Sequence, residues 1–140
     1  MTTRLNPYLS FRDTAKEAME FYQSVFGGTL TRSTFAEFRV SEDPFEQDKT
    51  MHAVLETERG LVLMGADTPN SMEYTPGTNY AVSLSGDATE DAELHGFWDR
   101  LSAGGTVTMP LNKALWGDSF GMCLDKFGVS WMVNIAGSPA

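Results

Sequence analysis

One motif occurs twice in this chain. Phe21-Tyr22-Gln23-Ser24-Val25-Phe26-Gly27-Gly28-Thr29-Leu30 returns, one residue longer, as Phe97-Trp98-Asp99-Arg100-Leu101-Ser102-Ala103-Gly104-Gly105-Thr106-Val107. A second echo follows each copy, Gly60 to Met64 and then Gly128 to Met132. Both halves keep the same order: an aromatic pair, Gly-Gly-Thr, then a glycine and a methionine four residues on. An internal repeat decides architecture before any local pattern does. It predicts one domain of two homologous modules, with Phe21 matching Phe97, Gly60 matching Gly128 and Met64 matching Met132, and a functional cleft between the modules.

Local patterns along the chain agree with the repeat. Leu5–Phe11 reads as a short strand. Thr14 and Glu17 have capping-box spacing, and Ala18, Phe21, Tyr22 and Val25 form one apolar helix face that ends at Gly27-Gly28. Thr29–Arg39 is predicted as a long strand. Met51–Thr57 and Leu61–Ala66 are predicted as a hairpin turning through Glu58-Arg59-Gly60. The first module thus spans about residues 5–67. A Pro- and Gly-containing linker covers 68–78, and the second module covers about 79–135. That module has a strand from Asn79 to Leu84, a helix from Ala88 to Ala103, and strands at Thr106–Met109, Phe120–Leu124 and Val129–Ile135. The interval from Gly27 to Gly60 exceeds that from Gly104 to Gly128. The surplus falls in acidic Val40–Lys49, which reads as a mobile insertion and a candidate lid. The fold class is α+β: two βαβββ modules with curved mixed sheets around a cup, in one domain over residues 1–140.

Composition narrows the function. The 140 residues carry a net charge of −9, with no basic cluster, so a nucleic-acid backbone would be repelled. The single cysteine, Cys123, lies in an apolar run and reads as a buried structural thiol. No apolar signal core or membrane-length stretch is present, so a cytoplasmic protein with no membrane partner is expected. Large apolar surfaces on paired modules predict a homodimer.

These residues resemble the vicinal-oxygen-chelate superfamily, which holds glyoxalases, extradiol dioxygenases, and fosfomycin- and bleomycin-resistance proteins. The helix from Ala15 to Gly28, Met51-His52-Ala53, Leu63-Met64-Gly65-Ala66-Asp67, Trp116 to Gly121, and Asp125 to Met132 are similar to its PhnB-like branch. The likeness runs from about Leu5 to Ile135. Relatives in that branch often bear a ubiquinone-pathway methyltransferase label, but no glycine-rich nucleotide loop follows a strand here.

The resemblance implies a glyoxalase-like fold, and in metal-using members a divalent ion held by His and Glu from the first and last strands of each module. The corresponding strands here, Leu5–Phe11, Leu61–Ala66, Asn79–Ser85 and Val129–Ile135, contain no His, Glu, Asp or Cys. Asn6, Met64, Asn79 and Met132 stand where ligands would be expected, and amides and thioethers suit such an ion poorly. No metal and no cofactor are therefore expected.

Of the two histidines, His95 has Asp91 and Asp99 within a turn and reads as a solvated ion-pairing residue. His52 matches Phe120 in the repeat. A three-residue turn at Glu58–Gly60 would place it on the same face as Met64, and a two-residue turn on the helix side. A structural role and a catalytic one both remain open for it. Trp116 could cap a pocket or pack over the core, and Met64 and Met132 could line an adaptable apolar site or fill the core. Asp67 and Asp118 read as turn residues.

The first reading is a metal-free protein binding a small molecule, with a pocket of Met64, Met132, Trp116 and Phe120 and polar contacts from Asn6, Asn79 and His52. The rivals are an enzyme, with His52 as general base or with metal ligands elsewhere, and a dimeric scaffold without a usable pocket.

Overall fold

The same element sequence is laid down twice. The computed structural model describes residues 2–137. The first half contains β1 (Tyr8–Phe11), α1 (Ala15–Phe26), β2 (Thr29–Thr34), α2 (Phe35–Phe38), β3 (Thr50–Glu56) and β4 (Val62–Asp67). The second half contains β5 (Val82–Gly86), α3 (Asp91–Ser102), β6 (Thr106–Lys113), β7 (Ser119–Leu124) and β8 (Ser130–Ile135), with a 3-10 turn at Ala88–Glu90 before its helix. The chain divides into two compact units, Met1–Pro76 and Gly77–Ala140. Each holds one mixed four-stranded sheet, ordered β1-β4-β3-β2 and β5-β8-β7-β6. The first pair in each order is parallel and the others are antiparallel. No helix among the described residues is long and apolar enough to cross a membrane.

The repeat maps onto equivalent places. Phe21 and Phe97 are each the seventh residue of a 12-residue helix. Ala18, Tyr22 and Val25 are buried in α1, and Leu94, Trp98 and Leu101 are buried at the matching positions of α3. Ala15 and Met19 join the buried face of α1, whereas Phe21 and Phe97 are only half-buried. The two hairpins turn alike. The Thr57 amide donates to the Leu61 carbonyl and Gly60 to Thr57, as Asp125 does to Val129 and Gly128 to Asp125. Gly60 and Gly128 take φ of 86° and 84°, the left-handed region that glycine enters without strain.

The Gly-Gly pairs have two separate jobs. Gly27 and Gly104, with φ of 75° and 76°, turn the chain out of each helix. Gly28 and Gly105 lie against backbone. A Cβ on Gly28 would overlap the Glu56 carbonyl oxygen and stand 3.0 Å from Thr57 Cα. One on Gly105 would overlap the Leu124 carbonyl oxygen and stand 3.0 Å from Asp125 Cα.

Several boundaries differ from the sequence reading. The strand predicted over Thr29–Arg39 stops at Thr34, where the short helix α2 begins. The side-chain cap that forms is at Thr34: the Glu37 amide donates to Thr34 Oγ1 at 3.3 Å. Thr14 makes no side-chain cap on α1. The Ala15 amide donates to Asp67 Oδ1 at 3.0 Å, while Asp67 Oδ2 accepts from the Thr50 amide at 2.9 Å. Asp67 is thus a buried carboxylate at the end of β4 and no turn residue. The strand predicted from Asn79 begins at Val82, and Asn79 lies in an exposed bend.

The insertion expected as a mobile loop is folded around buried Glu46. That carboxylate accepts from Ser41 Oγ at 2.8 Å, Lys49 Nζ at 2.9 Å and the Asn70 amide at 2.8 Å, which holds its pKa down to about 2. Lys49 also pairs with Asp13, 2.5 Å away. Arg12 fastens the linker to the first unit by donating to the carbonyls of Pro69 and Met72, and it lies 5.4 Å from the Tyr74 ring centroid.

Gly105→Ala should destabilise the protein by about 2–3 kcal/mol, because the clash is with backbone that no rotamer change can relieve. Gly28→Ala should cost at least as much, since that glycine also has φ of 92°. Gly27→Ala, with open space at its Cβ, should cost only about 1–2 kcal/mol. Urea denaturation measures all three. Gly105→Ala within about 0.5 kcal/mol of wild type would contradict the close-contact account.

Candidate functional site

Alternation along a strand sends successive side chains to opposite faces of its sheet. In the first sheet Leu9, Phe11, Ala53, Leu55, Leu63 and Gly65 are buried, and α1 packs against these strands. The opposite face carries Tyr8, Val54, Met64 and Thr31 as one cross-strand row. In the second sheet Trp131, Val133, Ile135 and Cys123 are buried. Its other face carries the row Ser83, Met132, Met122 and Met109, with Phe120 opposite Asn134 alongside.

The turn question for His52 is settled by this register. Residues 58–60 form a three-residue turn, and Val54 stands opposite Met64. His52, two residues before Val54, shares their face. Its match with Phe120 also holds, because Met122 stands opposite Met132 as Val54 does opposite Met64.

The polar partner of His52 was absent from the sequence reading. Tyr8 Oη lies 3.0 Å from His52 Nδ1, and the two rings are stacked with centroids 5.6 Å apart and planes inclined at 25°. Tyr8 is 51% exposed, yet its partial burial raises the phenol above its usual pKa, so it stays neutral at physiological pH. Tyr8 is also the residue beside Met64 on the first strand, and Ser83 is the residue beside Met132 on β5. Asn6 precedes β1 and lines an open groove of about 430 Å³ with Arg4, Glu56, Thr57 and Val62.

Trp116 stands 66% exposed in the turn between β6 and β7, its ring centroid 6.0 Å from that of Phe120. Asp118 ties this turn down, accepting from the Gly137 amide at 2.9 Å and from Asn134 Nδ2 at 3.1 Å. Those two bonds lower its pKa. On the helix side, burial, with the Asp125 charge adding to it, pushes the Cys123 thiol up to about 11. It is a packing residue, not a thiolate. His95 Nδ1 lies 3.4 Å from Asp91 Oδ2 on the exposed part of α3.

Paired βαβββ modules, each with one helix-free sheet face, define a glyoxalase-type fold. Residues 4–133 match the family described as the Glyoxalase/Bleomycin resistance protein/Dioxygenase superfamily, and the chain belongs to it. The chain is similar to protein PA1353 from Pseudomonas aeruginosa, with a TM-score of 0.80 and 35% identity over 98% of this chain and 100% of that one. It is also similar to the Bacillus cereus PhnB protein, a putative 3-demethylubiquinone-9 3-methyltransferase. There the TM-score is 0.72 at 25% identity, over 96% of this chain and 100% of that one. Protein YjdN of Escherichia coli (strain K12) is 27% identical over 94% of each chain.

The residues present do not fit the divalent ion that metal-using members of this fold hold. Around Met64 and Met132 the neighbouring strands offer a neutral phenol and a hydroxyl, and thioethers are soft, weak donors for such an ion. The nearby imidazole already engages Tyr8 through one ring nitrogen. Among the described residues no three His, Cys, Asp or Glu side chains gather as a ligand set. Purified protein should therefore hold no stoichiometric zinc, iron, manganese or nickel. Elemental analysis checks this, and so does a metal titration followed by melting temperature, because a native-state ligand raises stability. One tightly held ion per chain would contradict it.

Proposed function

We propose that this protein binds a small, mostly apolar molecule without a metal, on the helix-free faces of its sheets. The observation that carries this reading is the composition of those faces. Met64 and Val54 in one sheet, and Met109, Met122, Met132 and Phe120 in the other, are partly or well exposed where a sheet normally covers such residues. Methionine adapts its shape to varied ligands and makes favourable sulfur–aromatic contacts. Trp116, exposed beside Phe120, supplies a flat wall. Polar contacts come from His52 in the first sheet and Asn134 in the second, with Asn6 and Asn79 at the margins. Membership of the superfamily supports a small-molecule ligand over a macromolecular one.

The methyltransferase wording carried by the Bacillus cereus relative finds no support here. The connections from β1 to α1 and from β5 to α3 lack the glycine-rich loop that cradles a nucleotide-like cofactor. The proposal extends to a cytoplasmic homodimer.

A thermal-shift screen of apolar and aromatic small molecules should return compounds that raise the melting temperature. Trp116→Ala and Met132→Ala should each weaken such a compound by about tenfold, or about 1.4 kcal/mol, with Trp116→Ala leaving the unliganded melting temperature unchanged. Light scattering on the same samples reads the dimer. A screen without hits, or hits indifferent to both substitutions, would sink the binding reading, and a monomer at high concentration would sink the dimer.

A further inference from the structure

We infer that Tyr8 and His52 act as one recognition unit, in which Tyr8 sets the imidazole tautomer and His52 Nε2–H anchors a carbonyl oxygen of an otherwise apolar ligand. This rests on the small-molecule reading above and names the chemistry that the ligand must present.

A hydrogen bond joins Tyr8 Oη and His52 Nδ1 at 3.0 Å. A neutral phenol is a stronger acid than a neutral imidazole N–H, so the phenol is the better donor of the two. Tyr8 stays neutral because its partial burial disfavours the phenolate. With the phenol donating, Nδ1 is the acceptor and the ring proton resides on Nε2. Stacking of the two rings holds the imidazole in this orientation.

Nε2 is then a donor in search of an acceptor. Among the described residues, the side chain of His52 hydrogen-bonds to Tyr8 through Nδ1. His52 is half-buried on the helix-free face, and Nε2 is the ring nitrogen that Tyr8 does not engage. Its surroundings on the sheet face are apolar or uncharged: Val54, Met64 and Ala66, with Ser33 opposite on β2. Such a surface suits a ligand that lays hydrocarbon over Val54 and Met64 and turns one acceptor oxygen toward Nε2. Full negative charge on the ligand is disfavoured by the chain's net charge of −9. A carbonyl meets these conditions. An imidazole carrying its proton on Nε2 cannot remove a proton through that atom, so the pair speaks for recognition and against His52 as a general base.

The second module lacks the unit. Its counterparts are Phe120 for His52 and Ser83 for Tyr8, by the same cross-strand positions. The anchor is therefore confined to the first sheet, and His52→Phe reproduces the residue that the repeat already tolerates there.

Nitrogen-15 NMR of the imidazoles tests the first half directly, with His95, the only other histidine, as internal reference. Wild-type His52 should show a protonated Nε2 and a bare Nδ1 at neutral pH, and Tyr8→Phe should populate both tautomers. Titration with acetophenone and with ethylbenzene, which lacks the carbonyl, tests the second half. Acetophenone should bind wild type about tenfold more tightly than His52→Phe, the loss of one hydrogen bond, while ethylbenzene should bind both alike. Melting temperature confirms that each variant is folded. A proton on Nδ1 in the wild type, a tautomer unmoved by Tyr8→Phe, or acetophenone indifferent to His52→Phe overturns the inference while leaving the apolar-face reading standing. Failure of both probes to bind wild type overturns that reading and this inference with it.

Discussion

The contact of one glycine with the end of a neighbouring strand governs each module. Gly28 and Gly105 sit so close to the backbone of β3 and β7 that no side chain fits. The next residue, Thr29 or Thr106, is thereby delivered opposite Glu56 or Leu124, which fixes the edge strand's register. A three-residue turn ending at Gly60 or Gly128 then fixes the following pair of strands. Strand side chains alternate with a period of two, so a slip of one residue at either point would turn the whole set to the other face. The positions of His52, Val54 and Met64 opposite the helix follow from those two constraints.

The duplicated backbone carries different chemistry in its two copies, and the insertion explains part of that. Asp67 ends β4 where Ile135 ends β8. The acid accepts the first amide of α1 and the amide of Thr50, the residue at which the chain returns from the insertion into β3. Without that carboxylate both donors would be buried unpaired, at a cost of about 1–3 kcal/mol each. The second unit has no insertion at this place, and Asp87 caps the turn before α3 locally by accepting from the Thr89 amide. An apolar residue can then end its last strand. A carboxylate that reads as a turn residue in the sequence is instead buried and held by two backbone amides.

What could be read from the sequence follows from how local each signal is. Helix faces, Gly-Gly-Thr and the hairpin turns depend on residues a few positions apart, and they appear where the repeat places them. The Thr14–Glu17 spacing did not become a cap because Thr14, with φ of −115° and ψ of 6°, lacks the extended backbone of a capping residue. The Thr34–Glu37 spacing did, and its signal was present in the sequence inside what reads as a continuous strand. Tyr8 carries no such local signal. Its pairing with Met64 is set by the parallel register of β1 and β4, and no local pattern specifies a parallel register. Asn6 and Asn79 lie upstream of the first strands of their sheets, while Tyr8 and Ser83 occupy the places beside the methionines.

Charge distribution bears on the proposed binding of an apolar molecule. The chain has nineteen acidic residues against ten basic ones, yet the central rows of both helix-free faces are uncharged: Thr31, Val54, Met64 and Tyr8 in one, Met109, Met122, Met132 and Ser83 in the other. The row on one side, Ser33 with His52 in the first sheet and Phe120 with Asn134 in the second, adds no acid, and Glu56, two residues beyond Val54, is exposed at the end of β3. A carboxylate on such a face would have to lose water whenever an apolar molecule covered it, and that desolvation is costly unless an ion or donor compensates. A metal-binding face uses carboxylates because the ion supplies the compensation. A face that binds apolar molecules has to do without them, and keeps neutral hydrogen-bonding groups where orientation matters. The exclusion of acids from these rows in so acidic a chain is what the second kind of face requires.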